Sequence, residues 1–486
     1  MEVRIFMKTL IKNVLTSILS LLLSLGLMGV NVHAQDTIQF VQNTKTPNGL
    51  GFVDSQVDQF GIYTSVKKKG KSYTSIASRL YKPVSGDTLI VCFHGNGEGG
   101  VNGVNNNYSQ LAGNKMAVSF LKSQYQKTYG GAYILAFQAP DYWYNDYTKQ
   151  VKKIIDRAKK QFKIKHIFVT GLSAGGLMTE RMLAKYGSYF EGALISSAAI
   201  SKNDQYVEGL GGTYTKEGEA YKSYFNKKLN LAKPDDYKMY VKNYQKWLNK
   251  IAKSNVPLYF VHCTKDPVIP VQWSRFAYTT IKNRRKKLKL TGEVHFKEIS
   301  STGINKDTGL EMSGHWSWVK MYNNDVKVDS KKSMNWFVSL SKSKVKYKAK
   351  KVNTHLAPTN KTNKKNVYYF NLVAQVRDDG EKITKIVINT KGKKVNKKKL
   401  TKKLFNVKGY NVNAQANLKP AVNGNLYGEN GKNPEEIKVK SVSLSKGNIV
   451  ISLETKKGVL NYTDYLRNLT TKPRYMIAQI STNIFK

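Results

Sequence analysis

Acidic side chains are scarce in this chain. Only 32 Asp+Glu stand against 80 Lys+Arg, a formal net charge of +48 over 486 residues. That balance points to anionic partners. Cysteine is scarcer still: Cys92 and Cys263 are the two present, which excludes a disulfide framework as the source of stability. Beyond Val30 no apolar run is long enough to span a bilayer, so no stable membrane span is expected in the mature chain. Histidine occurs seven times, which makes any search for a general base short. Disorder is excluded by what is plentiful: 41% hydrophobic residues, with 30 Tyr, 18 Phe and 6 Trp.

The N-terminus reads as a secretory signal over 1–34. Arg4, Lys8 and Lys12 precede the apolar stretch Val14 to Val30, and Val32-His33-Ala34 offers a small-residue cleavage site. An uncleaved anchor is the alternative, because the run approaches spanning length. The expectation is a secreted, extracellular protein associated with the cell wall. For such a protein the anionic partner is a wall polymer, an acidic polysaccharide or anionic lipid, and no nucleic acid is expected. A genomic composition rich in Lys, Asn, Tyr and Ile explains the lysine equally well.

The charge is uneven. From Ser341 to Lys486, 32 basic residues face 8 acidic ones, a net of +24 in fewer than a third of the residues. The stretch 341–365 has almost no apolar periodicity and reads as a linker. Beyond it "NVYYFNLVAQVR", Asp379-Gly380 and "KITKIVINT" predict one hairpin. "IKVKSVSLS", Lys446-Gly447 and "NIVISLET" predict another, and "RYMIAQIST" a last strand. The expected division is therefore a catalytic domain over 35–340, a linker, and a basic β-rich accessory domain over 366–486. The run "KGKKVNKKKLTKK" is a solvated face before it is a ligand patch.

In the middle of the chain short apolar strands alternate with amphipathic helices. "TLIVCFHG", "AYILAFQAP", "HIFVTG", "GALISSAAI" and "PLYFVHCTKD" are the strands. A helix over Asp146 to Phe162 carries Val151, Ile154, Ile155, Ala158 and Phe162 on one face, and a second runs from Ala174 to Tyr186. The pattern predicts an α/β class with a mostly parallel sheet flanked by helices.

Gly171-Leu172-Ser173-Ala174-Gly175 falls where a buried strand turns into a helix, which is where an exposed nucleophile belongs. A serine hydroxyl needs a base within hydrogen-bond reach and donors aimed at the developing oxyanion. The Ala174 N–H at the helix start is one donor. The glycine-rich loop "HGNGEGG" after the first strand offers Asn96, or Gly97, as the other; it lacks the Gly-Lys-Ser/Thr ending of a phosphate loop. Of the histidines, His33 leaves with the signal and His355 lies in the linker. His166, His295 and His262 sit in or beside strands, and His94 belongs to the glycine-rich loop. His315, in a polar loop after the last strand "EVHFKEIS", is the expected base. Asp266, just past "YFVHCT" and before Pro267, is the expected acid, which completes the order Ser, acid, His.

Residues from about Arg79 to Ser339 resemble the secreted phospholipase/carboxylesterase branch of the α/β-hydrolases, with feruloyl and acetyl esterases and polyhydroxybutyrate-depolymerase-like enzymes. The matching stretches are His94 to Gly100, Gln138-Ala139-Pro140, Gly171 to Gly175, Lys265 to Pro270, and Gly314-His315-Trp316-Ser317-Trp318. The resemblance implies hydrolysis of carboxylic esters through an acyl-enzyme, with no metal and no cofactor. A serine peptidase of prolyl-oligopeptidase type and a non-enzymatic surface-binding protein on the same scaffold are the alternatives.

Three departures stand out. Glu98 is followed by Gly99-Gly100 where a basic residue is usual, residues 201–256 form a long insertion, and the basic C-terminal part has no counterpart. In this fold Cys92 and Cys263 stand three strand spacings apart, about 14 Å, too far for a disulfide. The insertion's Tyr237, Tyr240, Tyr244, Trp247 and Ile251 recur at helical spacing, as a helix docked on the body would have them. The sharper expectation is a lid whose Tyr214 and Tyr221, with Tyr142, Trp143 and Trp316, contact the substrate.

Overall fold

The computed structural model describes residues 38–100, 105–140, 143, 145–198, 234–307, 309–352, 356–359, 364, 366–413, 434–455, 463–464, 469–479 and 484–485. The signal segment and residues 201–233 of the insertion lie outside the described residues.

Runs such as "TLIVCF" and "LYFVHC" are apolar at nearly every position, so both faces of the strand must be covered. They become β3 and β7 of a central sheet in which every residue of both strands is buried. The eight strands are β1 (Phe60–Thr64), β2 (Ala77–Tyr81), β3 (Thr88–Phe93), β4 (Ala132–Gln138), β5 (His166–Leu172), β6 (Ala193–Ser196), β7 (Leu258–Cys263) and β8 (Val294–Ile299). Their spatial order is β8-β7-β6-β5-β3-β4-β2-β1. Strands β3 to β8 pair in parallel, and β2 runs against its neighbours β4 and β1. Cys92 on β3 and Cys263 on β7, with β5 and β6 between them, are both free and buried.

Helices α1 (Thr148–Gln161), α2 (Ala174–Tyr186), α3 (Pro234–Lys253) and α4 (Gln272–Lys287) connect the parallel strands. α1 buries Val151, Ile154, Ile155 and Ala158, the predicted face. It begins two residues later than expected, because the Asp146 carboxylate accepts the Thr148 N–H at 3.0 Å and ends the loop there. α3 buries Tyr244, Leu248, Ile251 and Ala252, and Tyr244 meets Trp273 of α4 edge-on at 5.8 Å. The described half of this helix is thus a docking face. The side chains of Tyr237 and Tyr240 lie outside the described residues.

The strand order reverses around β3. The chain goes from β3 to β4 on one side, then returns to place β5 on the other. The carboxyl ends of β3 and β5 therefore diverge into a crevice, the usual place for a ligand in an open parallel sheet. The His94 loop leaves one of these ends and Ser173 the other.

Residues Phe40–Lys361 and Tyr368–Lys486 form one compact unit; the other comprises Met1–Gln39 and Thr362–Val367. In the C-terminal sheet the predicted hairpins pair as expected, Val367–Arg377 with Gly380–Ile388 and Val439–Ser445 with Asn448–Leu453. Lys446 and Gly447 turn the second with φ of 48° and 77°. Phe52–Val53, from far upstream, adds to this sheet in parallel beside Leu372 and Val373. Two long strands, Phe405–Asn413 and Leu469–Gln479, pair antiparallel in a further sheet. Residues 341–350 carry no helix or strand yet are pinned to the body. The Ser343 hydroxyl donates to Asp87 at 2.5 Å and the Lys348 N–H to Ser85 Oγ at 3.0 Å.

Candidate active site

Ser173 sits between the last residue of β5 and the first of α2, with φ 51° and ψ −122°. A side chain rarely adopts that backbone, and the strain persists only because both flanks are fixed. The Ser173 N–H donates to Ser196 O at 2.9 Å, and its carbonyl accepts the Leu177 N–H at 3.2 Å. A methyl on Gly171 would collide with the Gly175 carbonyl, and one on Gly175 with the Phe93 carbonyl. These two glycines let strand, turn and neighbouring loop approach closely enough to hold the serine out.

His315 lies in the turn Gly314–Trp316, anchored by Ser317. The Ser317 hydroxyl meets Ser196 Oγ and Ser197 Oγ, each at 2.7 Å, and donates to Val261 O at 3.2 Å. This ties the histidine turn to the carboxyl ends of β6 and β7. The ring then stands between the other two groups: the Ser173 hydroxyl donates to Nε2 at 2.8 Å, and Nδ1–H donates to Asp266 Oδ2 at 2.8 Å. Trp318 packs edge-on against the imidazole at 5.2 Å.

Asp266 is buried, and each of its oxygens is engaged. Oδ1 accepts the Val268 and Ile269 N–H groups at 2.8 and 2.9 Å, so the turn after β7 holds the carboxylate from behind. Burial pushes this carboxyl up, but the His315 charge and the hydrogen bonds from His262 and His315 outweigh it. The group is held well below the usual carboxylate range.

His262 is a partner that sequence reasoning missed. It is fully buried on β7, where its strand position suggested a bystander. Its Nε2 faces Asp266 Oδ2 at 3.0 Å and Ile269 O at 2.9 Å, two acceptors, so that nitrogen carries the proton. Nδ1 meets Ser274 Oγ of α4 at 2.7 Å. The detectable signal was His262 standing four residues before Asp266, since the turn that starts at the strand end folds back on it.

The glycine-rich loop completes the crevice. His94 is buried, and burial lowers its pKa to about 4, so it is neutral. Its Nε2 accepts the Ala139 N–H at 2.9 Å, and its Nδ1–H donates to the Gly95 carbonyl. A methyl on Gly95 would touch Ser173 Cβ at 3.6 Å, so the loop runs directly past the serine. Asn96 follows, exposed, as the first residue of a short helical turn. Beneath it Glu98 is buried; burial raises its pKa while the Asn114 amide donates to it at 2.6 Å. Gln138 at the end of β4 donates to Glu98 O at 2.9 Å and to Asn106 Oδ1 at 2.8 Å, and accepts the Asn107 N–H at 2.7 Å. Ala174 opens α2, so its N–H has no intrahelical carbonyl to bond.

Residues 123–299 match the model of the prolyl oligopeptidase family. The fold is that of the α/β-hydrolases, a mostly parallel sheet flanked by helices. The matched range takes in Ser173 and Asp266 and ends before His315. No curated protein matches. Among solved structures the chain is similar to a thermostable esterase, at 23% identity over 55% of this chain and 61% of that one, TM-score 0.38. It is also similar to an acylaminoacyl peptidase from Pyrococcus horikoshii, at 16% identity over 50% and 37%, TM-score 0.34. An esterase from Pyrococcus furiosus gives 16% identity over 54% and 88%, TM-score 0.34. The chain spans less than two thirds of the length of the first two.

Of the five aromatics expected at the substrate, Trp316 is half-buried beside His315, with its ring 6.3 Å from that of Trp318. Trp143 departs from expectation. It is wholly buried, edge-on to Phe93 at 5.3 Å and tilted against His94 at 5.1 Å, so it props the glycine-rich loop and offers no face to a ligand. Its carbonyl accepts from Arg181 Nη1 at 2.6 Å, which explains the burial. Tyr142, Tyr214 and Tyr221 lie outside the described residues.

Proposed function

We propose that this chain is an exported carboxylic-ester hydrolase working through an acyl-enzyme. Ser173 Oγ attacks the ester carbonyl while His315 Nε2 takes its proton. Asp266 holds Nδ1–H and stabilises the imidazolium that forms. The N–H groups of Ala174 and Asn96 receive the oxyanion. As the tetrahedral intermediate collapses, His315 returns the proton to the leaving alcohol; water then attacks the acyl group by the same route and frees Ser173. The observation that carries this reading is the pair of 2.8 Å hydrogen bonds joining Ser173, His315 and Asp266 at the carboxyl ends of the sheet. Support for an ester comes from the motif set His94 to Gly100, Lys265 to Pro270 and Gly314 to Trp318. Feruloyl or acetyl esters on a polysaccharide are the proposed substrate class, with the half-buried Trp316 beside His315 as a substrate contact.

Export rests on the signal-like segment 1–34, and wall association on the basic residues 366–486 acting as an accessory part. A second reading, peptide hydrolysis by the same groups, is favoured by the prolyl oligopeptidase match over 123–299. A side-by-side assay decides: aryl acetates, feruloyl esters and acetylated xylan against N-acylated peptide amides. Ester turnover well above amide turnover supports the proposal. Cleavage of the peptides alone replaces it with the second reading.

A further inference from the structure

A pocket of about 560 Å³ opens where four adjacent strands of the C-terminal sheet meet the loop carrying Lys306 and Asp307. Lys306, Arg377, Lys385 and Lys440 line it, with Asp307 and Glu454 as its acids. Asp307 is already engaged: the Thr455 hydroxyl donates to Oδ1 at 2.6 Å, and Lys382 Nζ stands 3.6 Å from Oδ2. Among the described residues no carboxylate stands within ion-pair distance of Lys306, Lys385 or Lys440. Arg377 Nε makes no hydrogen bond but stands 3.9 Å from Asp307 Oδ2, so that acid is shared between Arg377 and Lys382. The uncompensated positive charge of the concavity is therefore that of its lysines, Lys385 and Lys440 above all.

Its floor has a local cause. Lys385 lies opposite Ser452, and Ser452 opposite Ser441, so cation and hydroxyls share one row across the strands. Register shifts at Val373/Ala374 and Val439/Ser441 bracket that row. Such bulges bend a strand and re-aim side chains, which is how an otherwise flat face becomes a cup. The lining is cations, hydroxyls and an amide, with no aromatic ring for bases to stack on. Pocket volumes of this order suit a small polar ligand unit.

We infer that this pocket binds one anionic sugar or polyol unit, carrying a carboxylate or phosphate, of an extracellular polysaccharide. This deepens the reading of residues 366–486 as a polymer holder and locates that contact. The lysine run at 391–403, whose Lys397, Lys398 and Lys399 are exposed on a short helical turn outside this pocket, supplies charge without a cup.

The test uses the full chain with Ser173→Ala, which separates binding from turnover. Polygalacturonate supplies carboxylates and poly(glycerol phosphate) supplies phosphates. Lys385→Glu with Lys440→Glu should weaken one or both polymers about tenfold or more, while Lys397→Glu with Lys398→Glu, the same charge change, weakens them less than about threefold. The polymer that responds names the anion. Equal losses in the two variants, loss confined to the 397/398 pair, or equal competition by duplex DNA would overturn the pocket. The 397/398 outcome would leave the basic region as a polymer holder, and ester hydrolysis is untouched by any of these results. Lys385→Gln with Lys440→Gln, at unchanged melting temperature, should give an intermediate loss; no loss there also counts against the proposal.

Discussion

Ser173, His315 and Asp266 stand in line because each is held by something other than its partners. The glycines at 171 and 175 hold the serine turn, Ser317 holds the histidine turn, and the Val268 and Ile269 amides hold the carboxylate. Asp266→Asn keeps this packing but loses the charge beside Nδ1, so kcat should fall about 10⁴-fold with the fold intact. His262→Gln should cost less, about 10-fold to 100-fold in kcat, because Asp266 Oδ2 loses one of two donors. A steady-state kcat and KM comparison checks both; a silent His262→Gln would make that histidine mere core. Glu180 gives a pH signature. Burial raises its pKa from 4.5 to about 8, and the Tyr244 hydroxyl donates to it at 3.1 Å. The folded state keeps this proton to higher pH than the unfolded chain, so stability falls as pH rises from 4.5 toward 8. Glu180→Gln removes that slope. Its melting temperature should match wild type near pH 4.5 and exceed it by roughly 5 °C or more above pH 8. Parallel melting curves across that range would contradict the assignment.

At the scale of elements, the glycine-rich loop depends on Gln138, which binds it at Glu98 O and ties it to the following chain at Asn106 and Asn107. Gln138→Ala should lower kcat about 10-fold to 100-fold and move KM less than about threefold, since an oxyanion donor acts mainly in the transition state. A KM effect alone would mean the loop serves binding. The elements that carry the site were legible in the sequence because each is an apolar run with a polar or glycine-rich end. "TLIVCFHG", "HIFVTG" and "PLYFVHCTKD" announce both strand and crevice. Phe405–Asn413 was not legible: "FNVKGYNVN" mixes short apolar positions with asparagines and a central glycine, and its partner Leu469–Gln479 is distant in sequence. Trp143 misled because an aromatic in a polar loop looks like a ligand contact. Only the Arg181 bond to its carbonyl and its packing on Phe93 show that it faces inward. His262 hid in a strand whose every side chain is buried, so its polar contacts left no mark in the pattern.

Across the whole molecule, the C-terminal residues are structurally joined to the part that holds the central sheet. Lys115 Nζ pairs with Asp378 at 2.6 Å, Asn323 donates to the same carboxylate at 3.0 Å, and the Tyr108 hydroxyl meets buried Glu381 at 3.4 Å. Truncation after Leu340 would strip these partners from Lys115 and Tyr108, and should lower the melting temperature of the remainder by about 5 °C or more. An unchanged transition would mean the two parts stand independently. The central claim is the nucleophile. A fluorophosphonate probe should label the full chain at Ser173 alone, with labelling abolished by Ser173→Ala in a folded protein. Labelling that survives Ser173→Ala, or a wild-type chain that never labels, would contradict it.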